Sequence, residues 1–161
     1  MPEAPDLEVV REFLSSRAAG TEVVSASVPR PGVVRSLEGE IVPDIAGRSL
    51  DAVDRRGKFL ILRLSGNRVL AINPKLTGTI QYAGPRDRLF KRTCLVLSLS
   101  NDREVRYLDE RQMGFVYYTA EERLDEVPGL TEQGPDVLDE FSYEEFLERL
   151  RPFHGEIKGI L

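Results

Sequence analysis

The stretch KFLILRLSGNRVLAIN, residues 58–73, decides the fold. It contains two apolar runs, KFLILRL and RVLAIN, on either side of the triplet Ser65-Gly66-Asn67. Short apolar runs separated by a glycine-containing loop are typical of a β-hairpin. The stretch therefore predicts two antiparallel strands and the beginning of a β-sheet.

Strand patterns continue on both sides of this hairpin. A second hairpin is predicted from CLVLSLS, Asn101-Asp102 and EVRYLD, and TGTIQYAG is expected to continue the sheet of the first hairpin. Further short strands are expected in TEVVSASV, VVRSL and GFVYYT. Many short strands without intervening helices favour a sandwich or a barrel. The predicted class is α+β and mostly β: an antiparallel β-sandwich with an N-terminal helix.

The N-terminal helix is predicted over residues 5–18. Pro5 suits a first helical turn, and Asp6 and Glu8 complement the helix dipole there. Gly20 is a plausible stop after the last turn. Apolar side chains recur on one helical face, at Leu7, Val10, Phe13 and Leu14. This assignment leaves Pro2 and Glu3 just outside the helix, held close to its start.

Composition and charge restrict the class of protein and its chemistry. The chain has 161 residues with one cysteine and one histidine, which leaves no internal disulfide and no cysteine zinc cluster. Cys94 lies in an apolar run and is expected to be a buried thiol. The sequence shows no membrane span and no signal peptide, so a cytoplasmic location is expected. Catalysis would have to use carboxylates, Lys, Arg or the terminal amine.

The net charge of −5 is unevenly distributed along the chain. Residues 121–161 hold four basic and twelve acidic side chains, a net charge of −8, whereas residues 1–120 have a net charge of +3. A mildly basic body can bind nucleic acid through a local patch, although a solvated mixed-charge surface explains so small a surplus equally well. The charge alone does not decide between these interpretations.

The composition also changes along the chain after Thr119. AEERLDEVPGL is a polar helical stretch, QGPDVLDEF is a loop, and SYEEFLERL predicts a helix that Ser142 and Glu145 cap and that ends at Pro152. FHGEIKGIL looks like the entry to a further helix. We therefore predict two parts, residues 1–120 and 121–161, and expect the apolar end to belong to a longer natural chain.

Four stretches carry a family resemblance: MPE at the start, RRGKFL at 55–60, NPKLTG at 73–78 and LDERQMG at 108–114. In this order they resemble the formamidopyrimidine-DNA glycosylase family, the Fpg/Nei enzymes of base-excision DNA repair. The resemblance implies that 1–120 is a catalytic β-sandwich and that 121–161 is a linker and the truncated start of a helix-two-turn-helix DNA-binding domain. It further implies a monomeric bacterial enzyme, associated with the nucleoid, that acts on damaged double-stranded DNA. No cofactor is expected in this chain, and zinc is expected in the missing C-terminal zinc finger.

The resemblance implies catalytic roles for three residues. Once Met1 is removed, Pro2 would attack C1′ of the damaged nucleotide, expel the base and form a Schiff base, after which β,δ-elimination cleaves the strand. Glu3 matches the acid that protonates the sugar ring oxygen. Lys58 matches a lysine that contacts phosphate beside the lesion. A secondary amine suits this chemistry because its Schiff base is a permanent cation that draws electrons from C2′.

The remaining expected site residues would contact DNA. Arg55 and Arg56 form a cationic turn with Lys58, although a solvated basic turn would look the same. Arg111 matches the arginine that reads the orphaned base, and Leu76 and Met113 would fill the space of the everted nucleotide. Asn73 and Lys75 complete the DNA-binding set.

This sequence also departs from the family pattern. Asn73 replaces a usual histidine, Pro74 removes an amide donor, and Leu76 replaces a methionine. Gln112 replaces a second arginine, and Met113 replaces a phenylalanine. Asp6 stands where a glutamate is usual.

Two alternatives stay open at this point. The first is a family member that binds damaged DNA without turnover, which the divergent loops would allow. The second is an unrelated β-rich binding domain, which a structure that separates Pro2, Lys58 and Arg111 would favour. Oxidised purines such as formamidopyrimidines or 8-oxoguanine are the favoured lesions if the chain is an active glycosylase.

Overall fold

The structure is a computed structural model, and it describes residues 2–136, 138, 140 and 142–154. The helices are α1 (Ala4–Arg17), α2 (Ile41–Ile45) and α3 (Tyr143–Leu150). The strands are β1 (Val23–Ser27), β2 (Val34–Ser36), β3 (Leu50–Arg56), β4 (Phe59–Leu64), β5 (Arg68–Asn73), β6 (Gly78–Ala83), β7 (Thr93–Leu99), β8 (Arg103–Asp109) and β9 (Phe115–Ala120). Short 3-10 helices lie at Pro31–Val33 and Glu121–Glu126.

The strands form two sheets around one main core. One sheet has four strands in the order β1-β7-β8-β6, and the other has five in the order β2-β9-β5-β4-β3. Buried side chains from both sheets meet between them, among them Leu60, Leu62, Leu97 and Tyr118. The predicted mostly β architecture with an N-terminal helix is therefore confirmed.

Both predicted hairpins are confirmed. β4 pairs antiparallel with β5, and Gly66 and Asn67 in their loop have φ of 69° and 61°. β7 pairs antiparallel with β8, and Asp102 in their loop has φ of 56°. Left-handed backbone is accessible mainly to Gly, Asn and Asp, which explains why these residue types mark the two turns.

Three details of the sheets differ from the predictions. β6 does not continue the sheet of the first hairpin, because the turn after β5 directs it to β8 in the other sheet. β2 pairs with β9 in parallel, so the sandwich is not wholly antiparallel among the described residues. The long chain segment between them makes such a parallel pairing possible. β3 was not predicted because its sequence, LDAVDRR, has four charged residues and only a weak alternation of apolar and polar side chains.

Helix α1 begins one residue before its predicted start. Its N-cap is Glu3, whose backbone N–H donates to Asp6 Oδ2 at 2.9 Å in a capping box. Leu7 and Leu14 are buried, while Phe13 stays 47% exposed and packs edge-on against Tyr82. The cap fixes the direction of the chain at Pro2 and Glu3, the two residues that precede the helix and belong to the candidate site.

The segment after Ala120 begins by packing on the sandwich. Val127 and Leu130 are buried with Phe59, Ile61 and Tyr117 on the outer face of the five-stranded sheet. The polar stretch 121–126 is a 3-10 helix, and α3 has the predicted Ser142–Glu145 capping box but ends at Leu150. The domain boundary after residue 120 stays a prediction, and the expected helix entry falls largely in 155–161, outside the described residues.

Candidate active site and nucleic-acid interface

The start of α1 meets the turn between β3 and β4. Lys58 Nζ lies 2.8 Å from Glu3 Oε2, and the two side chains are 51% and 42% exposed. An ion pair this exposed is weak, because water screens it and both side chains lose freedom by forming it. Lys58 can therefore exchange Glu3 for another anion, such as a phosphate, at little cost.

The turn that carries Lys58 is held from behind by the segment 133–136. Gln133 Oε1 accepts from the Lys58 backbone N–H at 3.2 Å, and Asp136 Oδ2 accepts from the Gly57 N–H at 3.3 Å. Gly57 has φ of 55°, a conformation that glycine adopts without strain. These contacts fix the backbone of the turn and leave the Lys58 ammonium at the surface.

Arg55 does not contribute an exposed cation to this turn, contrary to the sequence expectation. Its side chain is 3% exposed and binds Glu8 Oε2 at 2.8 Å and both Asp136 oxygens at 2.5 and 2.6 Å. The hydrogen bonds from Arg55 hold the pKa of Asp136 at about 2. Burial opposes ionisation of Glu8, but hydrogen bonds from Arg55 and Arg11 lower its pKa. Arg55 is thus a structural ion-pair centre joining α1, β3 and the later segment.

Arg56 and Lys58 provide the exposed positive charge here. The Arg56 side chain is 46% exposed, and its partner Asp125 is 3.6 Å away and 79% exposed. Solvent screens such a pair, so Arg56 stays available to an external anion.

Pro2 lines a pocket of about 360 Å³ between α1 and the segment 74–80. Leu7 and Val10 form the helix wall, and Leu76, Thr77 and Ile80 form the opposite wall. The volume lies at the lower end of the range for small-ligand pockets. The arrangement places Pro2 at an apolar cavity with Thr77 and Thr79 on one side.

Two loop tips carry exposed apolar side chains, and one of them, Leu76, lines this pocket. Leu76 is 49% exposed and follows Lys75, which has φ of 48°. Met113 is 38% exposed and follows Gln112, which has φ of 52°. In each loop a left-handed residue precedes the apolar tip. Arg111, at the second tip, is exposed, and its expected role in reading the orphaned base stays a prediction.

Asn73 lies behind the first tip and is only 8% exposed. Its Oδ1 accepts from the Lys75 N–H at 3.2 Å, so this oxygen closes the turn, while Lys75 itself is exposed. The DNA-binding role expected of Asn73 stays a prediction.

Asp109 is a site residue that sequence reasoning missed. It is fully buried and accepts from Thr77 Oγ1 at 2.5 Å, in the first loop, and from Gly114 N–H at 2.7 Å, in the second. Asp109 belongs to the stretch LDERQMG, which also contains Glu110. Nothing in the local sequence indicates which of these two carboxylates is buried.

The described residues hold no cluster of His, Cys, Asp or Glu suited to a metal ion. The zinc finger that the resemblance implies was expected C-terminal to these residues, so the zinc expectation stays a prediction. No helix in the described part of the chain is long and apolar enough to cross a membrane.

Residues 1–116 match the family model described as the formamidopyrimidine-DNA glycosylase N-terminal domain. The chain belongs to the formamidopyrimidine-DNA glycosylase family. This membership excludes the unrelated β-rich binding domain. It agrees with the geometry, in which Glu3 meets Lys58, Pro2 meets the Leu76 loop, and the Met113 loop is tied to the Leu76 loop.

Individual formamidopyrimidine-DNA glycosylases are similar over most of this chain. The protein of that name from Pelotomaculum thermopropionicum is 34% identical over 163 residues, covering 100% of this chain and 59% of the relative. The one from Moorella thermoacetica is 31% identical over 140 residues, covering 86% of this chain and 51% of the relative. The chain thus spans little more than half the length of these curated relatives.

Solved structures of formamidopyrimidine-DNA glycosylases share the fold. Lactococcus lactis Fpg in a complex with abasic-site DNA matches with a TM-score of 0.86 at 23% identity, covering 98% of this chain and 59% of that one. The same protein in a complex with Fapy-dG DNA matches with a TM-score of 0.81 at 23% identity, covering 92% and 56%. At 23% identity these matches establish the architecture of the chain.

Proposed function

We propose that this chain carries the catalytic part of a base-excision DNA repair enzyme, a bifunctional DNA glycosylase and abasic-site lyase. The observation that carries the proposal is the placement of Pro2 at a pocket, next to the Glu3–Lys58 pair at 2.8 Å. Oxidised purines such as formamidopyrimidines or 8-oxoguanine are the proposed lesions, and damaged double-stranded DNA is the proposed partner.

The proposed nucleophile is the Pro2 secondary amine, free once Met1 has been removed. Its lone pair attacks C1′, and the base leaves with the electrons of the glycosidic bond and takes up a proton. The attached nitrogen then loses its proton, and its lone pair expels O4′, which is protonated as the C1′–O4′ bond opens to give an iminium cation. Loss of a C2′ proton feeds electrons toward the iminium and expels the 3′ phosphate, a second elimination expels the 5′ phosphate, and water releases the sugar fragment.

Glu3 and Lys58 are proposed to act around that nucleophile. Glu3 follows Pro2 directly and is fixed as the α1 N-cap, so its carboxyl can deliver a proton to O4′ as the ring opens. The phosphate next to the lesion would take the place of Glu3 as the partner of Lys58. That exchange would release the Glu3 carboxyl at the moment when substrate binds.

The surrounding cations and tips are proposed to hold the DNA. Arg56 and Lys75 would contact phosphates, which positions the duplex without reading sequence. Leu76 and Met113 would fill the stack after base eversion, and Arg111 would read the orphaned base.

Borohydride trapping on abasic duplex DNA tests the chemistry. Reduction of the iminium fixes a covalent protein–DNA adduct, which peptide mapping should locate at Pro2. The control is the same protein with Met1 retained, in which the Pro2 nitrogen is an amide. An adduct of equal yield in the control, or none with the processed protein, would contradict the Pro2 mechanism.

A second candidate is a family member that binds damaged DNA without turnover. The departures at Asn73, Pro74, Gln112 and Met113 favour it, because they change the parts that evert the nucleotide. Specific binding of abasic duplex by the processed protein without any trapped adduct would support this candidate against the first.

The monomeric state and the zinc finger are proposals that concern the whole protein. Light scattering and metal analysis on a chain of the relatives' length would test both.

A further inference from the structure

We propose that Asp109 is a positioning residue that locks the Leu76 and Met113 tips into one unit, so that both enter DNA in a single step. This rests on the proposed function insofar as the tips act on DNA. The locked state itself is a property of the protein alone.

The side chain of Asp109 joins the two loops directly. Oδ1 accepts from Thr77 Oγ1 at 2.5 Å, next to Leu76, and Oδ2 accepts from Gly114 N–H at 2.7 Å, next to Met113. The carboxylate is fully buried, so water does not compete for these bonds. Hydrogen bonds to a buried charged acceptor are among the stronger ones in proteins.

Tyr107 supports the same junction. Its hydroxyl donates to Asp109 Oδ2 at 3.2 Å. A Cβ added to Gly78 would lie 2.4 Å from that hydroxyl, and one added to Gly114 would lie 2.0 Å from it. The hydroxyl thus fills the space between two glycines, one from each loop. Burial and the Asp109 charge raise the pKa of Tyr107, which keeps it a donor.

The backbone of Asp109 is fixed from two further directions. Arg30 Nη1 donates to the Asp109 carbonyl at 3.0 Å, and the Asp109 N–H donates to the Arg92 carbonyl at 2.9 Å. The carboxylate therefore cannot follow one loop away from the other. Both loops bind the same carboxylate, so loss of the Thr77 bond would let that carboxylate rotate and would weaken its bond to Gly114.

Locking would change how the tips act on DNA. Two independent tips each lose conformational freedom on insertion, and their contributions add. Two locked tips are ordered before binding and insert together. Truncating one tip therefore also reduces the contribution of the other tip to DNA affinity. The measurable consequence is coupling between truncations of Leu76 and Met113.

Hydrogen exchange on the free protein tests the lock. Thr77→Val keeps the shape of the side chain but removes the donor, and Thr77→Ser keeps the donor. We expect amide exchange in 110–114 to rise about ten-fold in T77V, from loss of one hydrogen bond to a charged acceptor, and to stay unchanged in T77S. Unchanged exchange in 110–114 of a folded T77V protein would overturn the proposal.

A double-mutant cycle on DNA tests the consequence. Affinity for abasic duplex would be measured with L76A, M113A and the double variant, each with Thr77 and with T77V. With Thr77, we expect the double variant to bind about as weakly as the worse single variant. With T77V, the two fold-losses should multiply. Multiplying losses in both backgrounds would overturn single-step insertion.

The two experiments separate this inference from the proposed function. Binding affinity does not need turnover, so a failed trapping assay leaves the cycle readable. If the protein bound no abasic DNA at all, the proposed function would fail, while hydrogen exchange would still decide the role of Asp109.

Discussion

Lys58 and Arg55 lie three residues apart, yet they differ in what they can bind. The Lys58 ammonium is half exposed and shares a weak pair with Glu3, whereas Arg55 is 3% exposed and has carboxylates on two sides. A phosphate can replace the partner of an exposed cation, because both partners are already hydrated. It cannot reach a buried one without unpairing Glu8 and Asp136. Accessibility, more than charge, is why the proposed phosphate contact is placed at Lys58 and not at Arg55.

Lys58→Ala is expected to lower affinity for abasic duplex and to reduce the slope of log affinity against log salt by about 0.9, the value for one phosphate contact. Titrations at several salt concentrations measure the slope. Lys58→Arg, which keeps the charge, should retain the wild-type slope. The phosphate assignment would be wrong if the alanine variant had an unchanged slope.

Asp136 makes stability depend on acid pH. Its pKa is about 2 in the folded chain against an ordinary 3.8, with the hydrogen bond from Arg55 as the main cause. A lowered pKa adds stability that is present above pH 4 and is lost as the pH falls toward 2. Asp136→Asn should thus cost on the order of 1 kcal/mol of unfolding free energy at pH 7 and almost nothing near pH 2.

Urea unfolding of wild type and D136N at both pH values measures this difference. Asp44 also has a pKa near 2, held there by Tyr118, Arg48 and Arg68, but it is present in both proteins and cancels. A gap that stayed constant between the two pH values would contradict the ion-pair explanation.

At the scale of elements, the first turn of α1 links helix formation to the position of Pro2, the proposed nucleophile. The Glu3 N–H is bound by the Asp6 carboxylate, so the same contact that begins the helix sets the direction of Pro2. A helix end without its cap frays, because its first N–H groups lack partners. Fraying here would move the amine away from the pocket.

Asp6→Ala is expected to cost about 1 kcal/mol of helix stability and to slow adduct formation several-fold. Asp6→Asn, which keeps an oxygen acceptor, should retain most of the rate. Single-turnover trapping with borohydride measures both variants. Equal rates for D6A and wild type would show that the cap does not position Pro2.

At the scale of the whole molecule, the outer face of the five-stranded sheet depends on residues beyond the last strand. Val127 and Leu130 cover Phe59, Ile61 and Tyr117, all of them buried. Asp136 and Gln133 then reach the turn that carries Lys58. The residues that follow Ala120 therefore complete the sandwich and support the turn that carries Lys58.

A fragment that ends at residue 120 is expected to be less stable than one that ends at 136 and to aggregate more readily, because it exposes this apolar face. Thermal unfolding and light scattering of the two fragments measure the difference. Equal stability would place the functional boundary at 120, where the sequence predicted it.

The features that could be predicted from the sequence are those that depend on residues within a short window. Both hairpins, the approximate extent of α1, the α3 capping box and buried Cys94 depend on periodicity and on turn or cap residues at adjacent positions. The ordered motifs from Pro2 to Met113 also indicated the family, which the comparison confirmed.

The sequence by itself therefore determined the two hairpins, the α3 capping box and the family. The tertiary structure alone decided that β6 joins the other sheet, that Asp136 buries Arg55 across 81 positions, and that Asp109 binds Thr77 across 32. The physical reason is that these outcomes depend on which side chains, distant in the sequence, are buried against one another when the elements pack. Burial is a property of packed elements, and no local window of sequence contains it.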